Sequence, residues 1–221
     1  MKKSGVIFDI DGLLINSEPL WNKAASEIFR QYGILLTEQQ YAFTTGLRSK
    51  EFVAHWLSEN KVPSSEYDRA EQRIIDLALS LIDKEANVMP GVEHIIQFFC
   101  QKEFKIGLAT SSPVALIELV KEKLGLRKII QASCSAQHLP YAKPHPQVYL
   151  DCAAALHISP LACICFEDSV YGMLAAKAAR MTCVVVPSAE HSKLPHWGVA
   201  DLKLSSLQNF GALHFNMLDT E

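Results

Sequence analysis

Asp9 and Asp11 stand two residues apart at the end of the apolar run Val6-Ile7-Phe8, and Gly12 follows them. Side chains two apart on an extended chain share a face, so the two carboxylates can converge on one small volume. A buried carboxylate is unfavourable unless it is paired, hydrogen-bonded or metal-bound, so two of them ending an apolar strand would attract a divalent cation. Asp-Gly between apolar residues is also a strong hairpin signal, and on this stretch alone that reading competes. A calcium loop is excluded, because its glycine stands sixth, whereas Gly12 is the fourth residue counted from Asp9. The deciding question is whether other strands deliver compatible groups to the same place.

Three later stretches do. The apolar Ile106-Gly107-Leu108-Ala109 runs into Thr110-Ser111-Ser112-Pro113, hydroxyl residues that open a helix. Hydroxyls and free backbone N–H groups at a helix start suit an anion such as phosphate. Ser112 as the cap and Pro113 as the first helical residue would account for half of this run without any ligand. Next, Lys143 stands before Pro144, which keeps it out of helical conformation on a stiff segment ahead of the helix that Pro146 can start. Last, Cys163-Ile164-Cys165-Phe166 ends in Glu167-Asp168-Ser169, where Asp168 or Ser169 also serves as an ordinary helix cap. Hard oxygen ligands from Asp9, Asp168 and Glu167 are of the kind magnesium takes.

These stations must be held by a sheet. Apolar strands covered on both faces read as continuous hydrophobic runs and belong to parallel sheets. From Pro90 onward helices and strands alternate, with strands expected over 105–109, 129–134, 162–166 and 182–186, and a short edge strand over 201–204. That alternation predicts an α/β fold with a doubly wound parallel sheet, whose ligands bind beyond the carboxyl ends of the strands. Between the first strand and this pattern lie only helical stretches, 17–32, 37–44, 50–59 and 65–84, which read as an inserted helical domain. The tail from Asn209 carries no clear signal.

Composition narrows the field. The chain has 221 residues, 49% of them hydrophobic, enough for a substantial core and for an enzyme. A net charge of −3 without a basic stripe argues against nucleic acid as a partner. The six cysteines form no C-x-x-C pair and read as reduced core thiols, so a cytoplasmic protein is expected. No apolar run approaches a membrane span of about 20 residues, and no histidine pair has metal-ligand spacing.

Taken together, Asp9-x-Asp11-Gly12, Thr110 after a strand, Lys143 before Pro144, and Glu167-Asp168 resemble the motifs of the haloacid dehalogenase-like hydrolases, in order and around a helical insertion. The resemblance implies a Rossmann-like catalytic core, residues 1–15 and 89–221, and a mobile helical cap, residues 16–88, hinged near Ser17 and Met89-Pro90. It implies Asp9 as a nucleophile that takes up a phosphoryl group and Asp11 as general acid and base. Magnesium would be held by Asp9, the Asp11 carbonyl and Asp168, with Glu167 close by, and phosphate by Thr110, Ser111 and Lys143.

Within the family, the stretches 12–21 and 141–149 look most like the group of 2-deoxyglucose-6-phosphate and hexitol phosphatases. The related β-phosphoglucomutases often carry histidine where this chain has Trp21, which favours a phosphatase of small sugar or sugar-alcohol phosphates over a phosphosugar mutase. Dehalogenases of the family lack the second acid, so Asp11 also argues for phosphate. Loss of an acid would mark a non-catalytic binding module, and none is lost. In the cap, Thr45-Gly46-Leu47-Arg48 resembles the loop that reaches into the site, with Arg48 either touching substrate or lying along the helix surface. Trp21 reads as helix packing or as part of the substrate pocket, with packing favoured. A small phosphorylated metabolite is the expected partner, and a cap that opens and closes fits a monomer.

Overall fold

The computed structural model describes residues 2–219. Strand β1 (Gly5–Phe8) leads into four helices, α1 (Glu18–Arg30), α2 (Glu38–Thr44), α3 (Ser49–Glu59) and α4 (Tyr67–Glu85). After them come α5 (Val92–Gln101), β2 (Lys105–Thr110), α6 (Val114–Lys123), β3 (Ala132–Ser135), α7 (Gln147–Ala155), β4 (Cys163–Glu167), α8 (Val170–Ala178), β5 (Thr182–Val185), β6 (Leu202–Lys203) and α9 (Ala212–Leu218). The six strands form one sheet in the order β3-β2-β1-β4-β5-β6, with every pairing parallel. The order reverses at β1, where successive connections leave in opposite directions and open a crevice beyond the strand ends.

The continuous apolarity of β1 follows from burial on both faces. Val6 and Phe8 join one core cluster with Ile96, Phe99, Leu116 and Ile117, from α5 and α6. Ile7 joins a second with Val148, Tyr149 and Met173, from α7 and α8. Register then sets the chemistry: Phe8 aligns with Leu108 of β2 and with Phe166 of β4. The next residues, Asp9, Ala109 and Glu167, therefore lie level on three adjacent strands.

The inserted helices pack on one another through Ala24, Ile28, Val53, Leu57, Ile74, Ala78 and Ile82, all buried. A capping box fixes the start of α2, with Thr37 Oγ1 accepting from the Gln40 N–H and the Gln40 side chain accepting from the Thr37 N–H. Two chain crossings join this layer to the sheet, and they bond to each other: Asn16 N–H donates to Asn87 O at 2.9 Å and Met89 N–H to Leu14 O at 3.0 Å.

Some expectations need correction. The third strand begins at Ala132, not Ile129, because Ile129 and Ile130 sit in a turn closed by their N–H groups on Leu126 O. Their β-branched pair reads as strand but packs from that turn. Pro113 caps α6 rather than starting it, and the Ser112 hydroxyl makes no cap bond. The tail forms α9, whose Phe215 packs edge-on against Phe98, Phe99 and Phe104. All six cysteines are free; four are buried, Cys134 is half-buried, and Cys100 is exposed on α5. Among the described residues no helix is long and apolar enough to cross a membrane.

Candidate active site

The turn after β1 is tight because residue 12 is glycine. Gly12 has φ +67°, and a Cβ there would lie 2.0 Å from Asp168 Oδ2, so any other residue would push the β4 acid away from the β1 acids. The Asp-Gly turn signal was therefore real: Gly12 N–H donates to Ile15 O at 2.9 Å. The turn and the site coincide instead of competing.

Lys143 sits in the middle of the level set by the three strands. Its Nζ donates to Asp9 Oδ1 at 2.6 Å, Glu167 Oε1 at 2.6 Å and Ala109 O at 3.1 Å, which uses all three N–H bonds of the ammonium. Burial alone would lower the lysine's pKa, but Asp9 and Glu167 outweigh it and raise it above the ordinary range, so the group stays charged. Glu167 is fully buried and fully engaged. Oε1 also accepts from the Tyr149 hydroxyl, and Oε2 accepts from the Ser169 hydroxyl at 3.0 Å and from the N–H groups of Asp168 and Ser169. Its carboxylate thus braces Lys143, Tyr149 and the start of α8, where Ser169 is the cap.

Asp11 is held just as firmly. Oδ1 accepts from Ser17 Oγ at 2.5 Å and from Trp21 Nε1 at 2.8 Å; Oδ2 accepts from Ser112 Oγ at 2.6 Å. Thr110 Oγ1 lies 3.5 Å from Oδ2 and accepts from the Ser112 N–H at 3.0 Å. Trp21, assigned to packing from sequence, thus touches the second acid, and the Ser112 hydroxyl turns to Asp11 instead of capping a helix.

A cavity of about 110 Å³ lies between the sheet end and the helical layer, walled by Asp9, Asp11, Thr110, Ser111, Ser112, Lys143 and Asp168 from below and by Glu18, Trp21, Asn22, Thr45, Gly46 and Ser49 from above. The loop between α2 and α3 closes it: Gly46 has φ +86°, a Cβ there would meet Ser169 Oγ at 3.0 Å, and Ser111 Oγ donates to Gly46 O at 3.2 Å. Of the expected residues, Glu167 lies beneath the cavity and Arg48 is kept out of it. Only 8% exposed, it bonds Glu51 through Nε and Nη2 and donates from Nη1 to Ala136 O at 2.9 Å and Leu139 O at 2.6 Å. Its guanidinium joins the helical layer to the loop after β3 and is absent from the cavity lining. That bond partner lies about ninety residues on in sequence, which is why it could not be read there.

The charge of this centre is unbalanced. Asp9, Asp11, Glu18 and Asp168 line the cavity and Glu167 lies beneath, while Lys143 is the only lysine or arginine in the lining among the described residues. Burial pushes the Asp9 carboxyl well above its ordinary value, Glu167 and Asp11 add to the shift, and Lys143 opposes it. Burial likewise pushes Asp168 well up, with Glu18, Asp9 and Glu167 reinforcing. Asp9, Glu167 and Asp168 offer oxygens within 4.8 Å of one another. With Glu167 committed to its donors, Asp9 and Asp168 are the residues best able to hold a cation, and a hard divalent ion fits these oxygen donors and the excess negative charge.

A parallel doubly wound core that presents acids from two adjacent strands to a cavity closed by inserted helices defines a capped α/β hydrolase. The chain belongs to the haloacid dehalogenase-like hydrolases, whose family profile matches residues 6–186. It is 41% identical over 207 residues to hexitol phosphatase B of Escherichia coli K12, covering 93% of each chain. Among solved structures it resembles CbbY of Rhodobacter sphaeroides in complex with phosphate (25% identity, all of both chains, TM-score 0.86). It also shares its fold with β-phosphoglucomutase of Clostridium difficile (23% identity, 97% and 96% of the two chains, TM-score 0.85). It is a phosphoric monoester hydrolase.

Proposed function

We propose that this protein hydrolyses the phosphate monoester of a small sugar or sugar alcohol through an aspartyl phosphate on Asp9, with magnesium as cofactor. The observation that carries the reading is Asp9 itself: a carboxylate at the cavity floor, with one oxygen fixed by Lys143 at 2.6 Å and Asp11 two residues away. The similarity to a hexitol phosphatase supports the substrate class.

In the first half-reaction an oxygen of Asp9 attacks phosphorus, the P–O bond to the sugar breaks, and Asp11 gives a proton to the departing oxygen. In the second, Asp11 takes a proton from water, the water oxygen attacks phosphorus, and the bond to Asp9 breaks to release phosphate. Thr110 and Ser111 face the non-bridging oxygens, and the Lys143 ammonium, bonded to Asp9, Glu167 and Ala109 O, offsets their charge from the floor. Magnesium would be held by Asp9, Asp168 and the Asp11 carbonyl, and there it would offset the repulsion between carboxylate and phosphate. Residues 16–88 act as a cap on a core of residues 1–15 and 89–221, and the paired crossings at Asn16 and Met89 are its hinges. The reading includes a cytoplasmic monomer.

The test is phosphate release from a panel of hexose, deoxyhexose and hexitol phosphates, with magnesium and with chelator, using Asp9→Asn as blank. Metal-dependent release that the blank lacks supports the reading. Isomerisation of the sugar phosphate without release would instead indicate a mutase.

A further inference from the structure

Resting on the phosphatase reading, we infer that the site accepts only singly phosphorylated polyols and refuses bisphosphates, because the cap side of the cavity offers a second phosphate no cation and one carboxylate. The core end has the groups for one phosphate: Thr110, Ser111 and Lys143. The opposite wall is of another character. Glu18 and Asn22, one turn apart on the first stretch of α1, share a face toward the cavity, with Thr45 and Ser49 across from them. Ser49 Oγ donates to Glu71 at 2.6 Å and Thr45 Oγ1 to Tyr41 O at 3.4 Å, so toward the hydroxyls of a sugar or hexitol the amide of Asn22 can give and the acid and hydroxyl oxygens accept.

None of these groups can neutralise a phosphate dianion. The candidate that could, Arg48, belongs to the same loop but is buried and tied to Glu51, Ala136 O and Leu139 O. Drawing it into the cavity would break the bonds that join the cap to the core and leave those carbonyls without their donor. Lys143 is fixed at the floor between Asp9 and Glu167. His191, which faces Glu18 electrostatically from the loop after β5, pairs with Ser188 Oγ at 3.2 Å and does not line the cavity. A second phosphate would therefore meet the Glu18 carboxylate in a closed space. This also bears on the mutase alternative: returning a phosphoryl group to a different position of a sugar phosphate passes through a bisphosphate, which this wall repels.

The experiment separates binding from turnover. Calorimetric titration of Asp9→Asn in magnesium with sorbitol 6-phosphate and with fructose 1,6-bisphosphate reads the inference whether or not either is hydrolysed. The expected result is binding of the bisphosphate at least about 100-fold weaker, the scale of a like-charge clash without compensation. Dissociation constants within about threefold of each other would overturn the inference. Thr45→Lys, which puts an ammonium beside Glu18, should narrow the gap by about tenfold or more; an unchanged gap would also count against it. Failure of the parent enzyme to release phosphate from any monophosphate would instead overturn the phosphatase reading, so the two failures are distinguishable.

Discussion

The indole N–H of Trp21 donates to Asp11 Oδ1 at 2.8 Å, tying α1 of the inserted helices to the second acid after β1. Ser17 shares the same oxygen. If residues 16–88 move as the proposed cap, this bond couples closure to the orientation of Asp11. Trp21→Phe keeps the aromatic bulk and removes the donor. A hydrogen bond to a charged group contributes about 1.5–3 kcal/mol, so kcat should fall by about 10- to 100-fold with KM changed far less. Steady-state kinetics with urea unfolding measures both, and an unchanged kcat would remove Trp21 from this role.

Asp9→Asn is expected to lower kcat by more than about 10³-fold, the scale seen when a nucleophile is removed. Lys143 retains Glu167 and Ala109 O in this variant, and the amide replaces a carboxyl that burial already disfavours as an anion. Its urea midpoint should therefore stay near that of the parent. Residual turnover above about one per cent of the parent would assign the nucleophile elsewhere.

Lys143→Met leaves Asp9 and Glu167 buried without their cation. Removing one partner of a buried ion pair is destabilising by about 3–5 kcal/mol. The pH trend follows from Asp9, whose folded pKa lies above the ordinary 3.8 even with Lys143 opposing. A carboxyl raised in this way favours the folded state below its unfolded pKa, and the benefit is lost as pH rises through the folded pKa. The deficit of the variant should thus be smaller near pH 5 than near pH 7.5. Urea titrations at both pH values test this, and a deficit that is flat with pH would contradict it.

Arg48→Met keeps the buried stem and removes the bonds to Ala136 O and Leu139 O. The cap then closes less completely, which predicts a KM about tenfold higher with kcat retained, in line with about 1.4 kcal/mol lost from the closed state. Faster protease cleavage at the crossings near Asn16 and Met89 would accompany it. An unchanged KM would mean that the latch does not govern closure.

The contrast between Asp9 and Arg48 explains what could be read from sequence. Asp9, Thr110 and Asp168 follow apolar strands, and a parallel sheet brings strand ends together whatever the details of the loops. Their convergence was legible for that reason. The partners of Arg48 are carbonyls of a loop after β3, and a carbonyl leaves no mark in a sequence. Trp21 was legible as one of a row of apolar positions on α1, and that periodicity does not reveal a polar edge turned toward Asp11. The α9 tail is similar: Phe215 finds its place only in the aromatic cluster around Phe99, residues brought near by the sheet and not by sequence.

Magnesium is expected to stabilise the folded protein through Asp168. With five carboxylates around one lysine, the folded state has an excess of negative charge that the unfolded chain lacks. A cation that binds only the folded state adds stability by mass action, about 2.7 kcal/mol at a hundredfold excess over its dissociation constant. The melting temperature should therefore rise with magnesium near pH 7.5. The rise should shrink near pH 5, because Asp9 and Asp168, whose pKa values burial raises, take up protons that compete with the ion. Asp168→Asn removes one hard oxygen charge next to Gly12 and should abolish most of the magnesium-dependent rise while increasing the melting temperature without metal, since one unpaired acid is gone. Were Asp168→Asn to keep the full magnesium response, Asp168 would not be a ligand, and the cation would have to be held by Asp9 and other oxygens of the cavity.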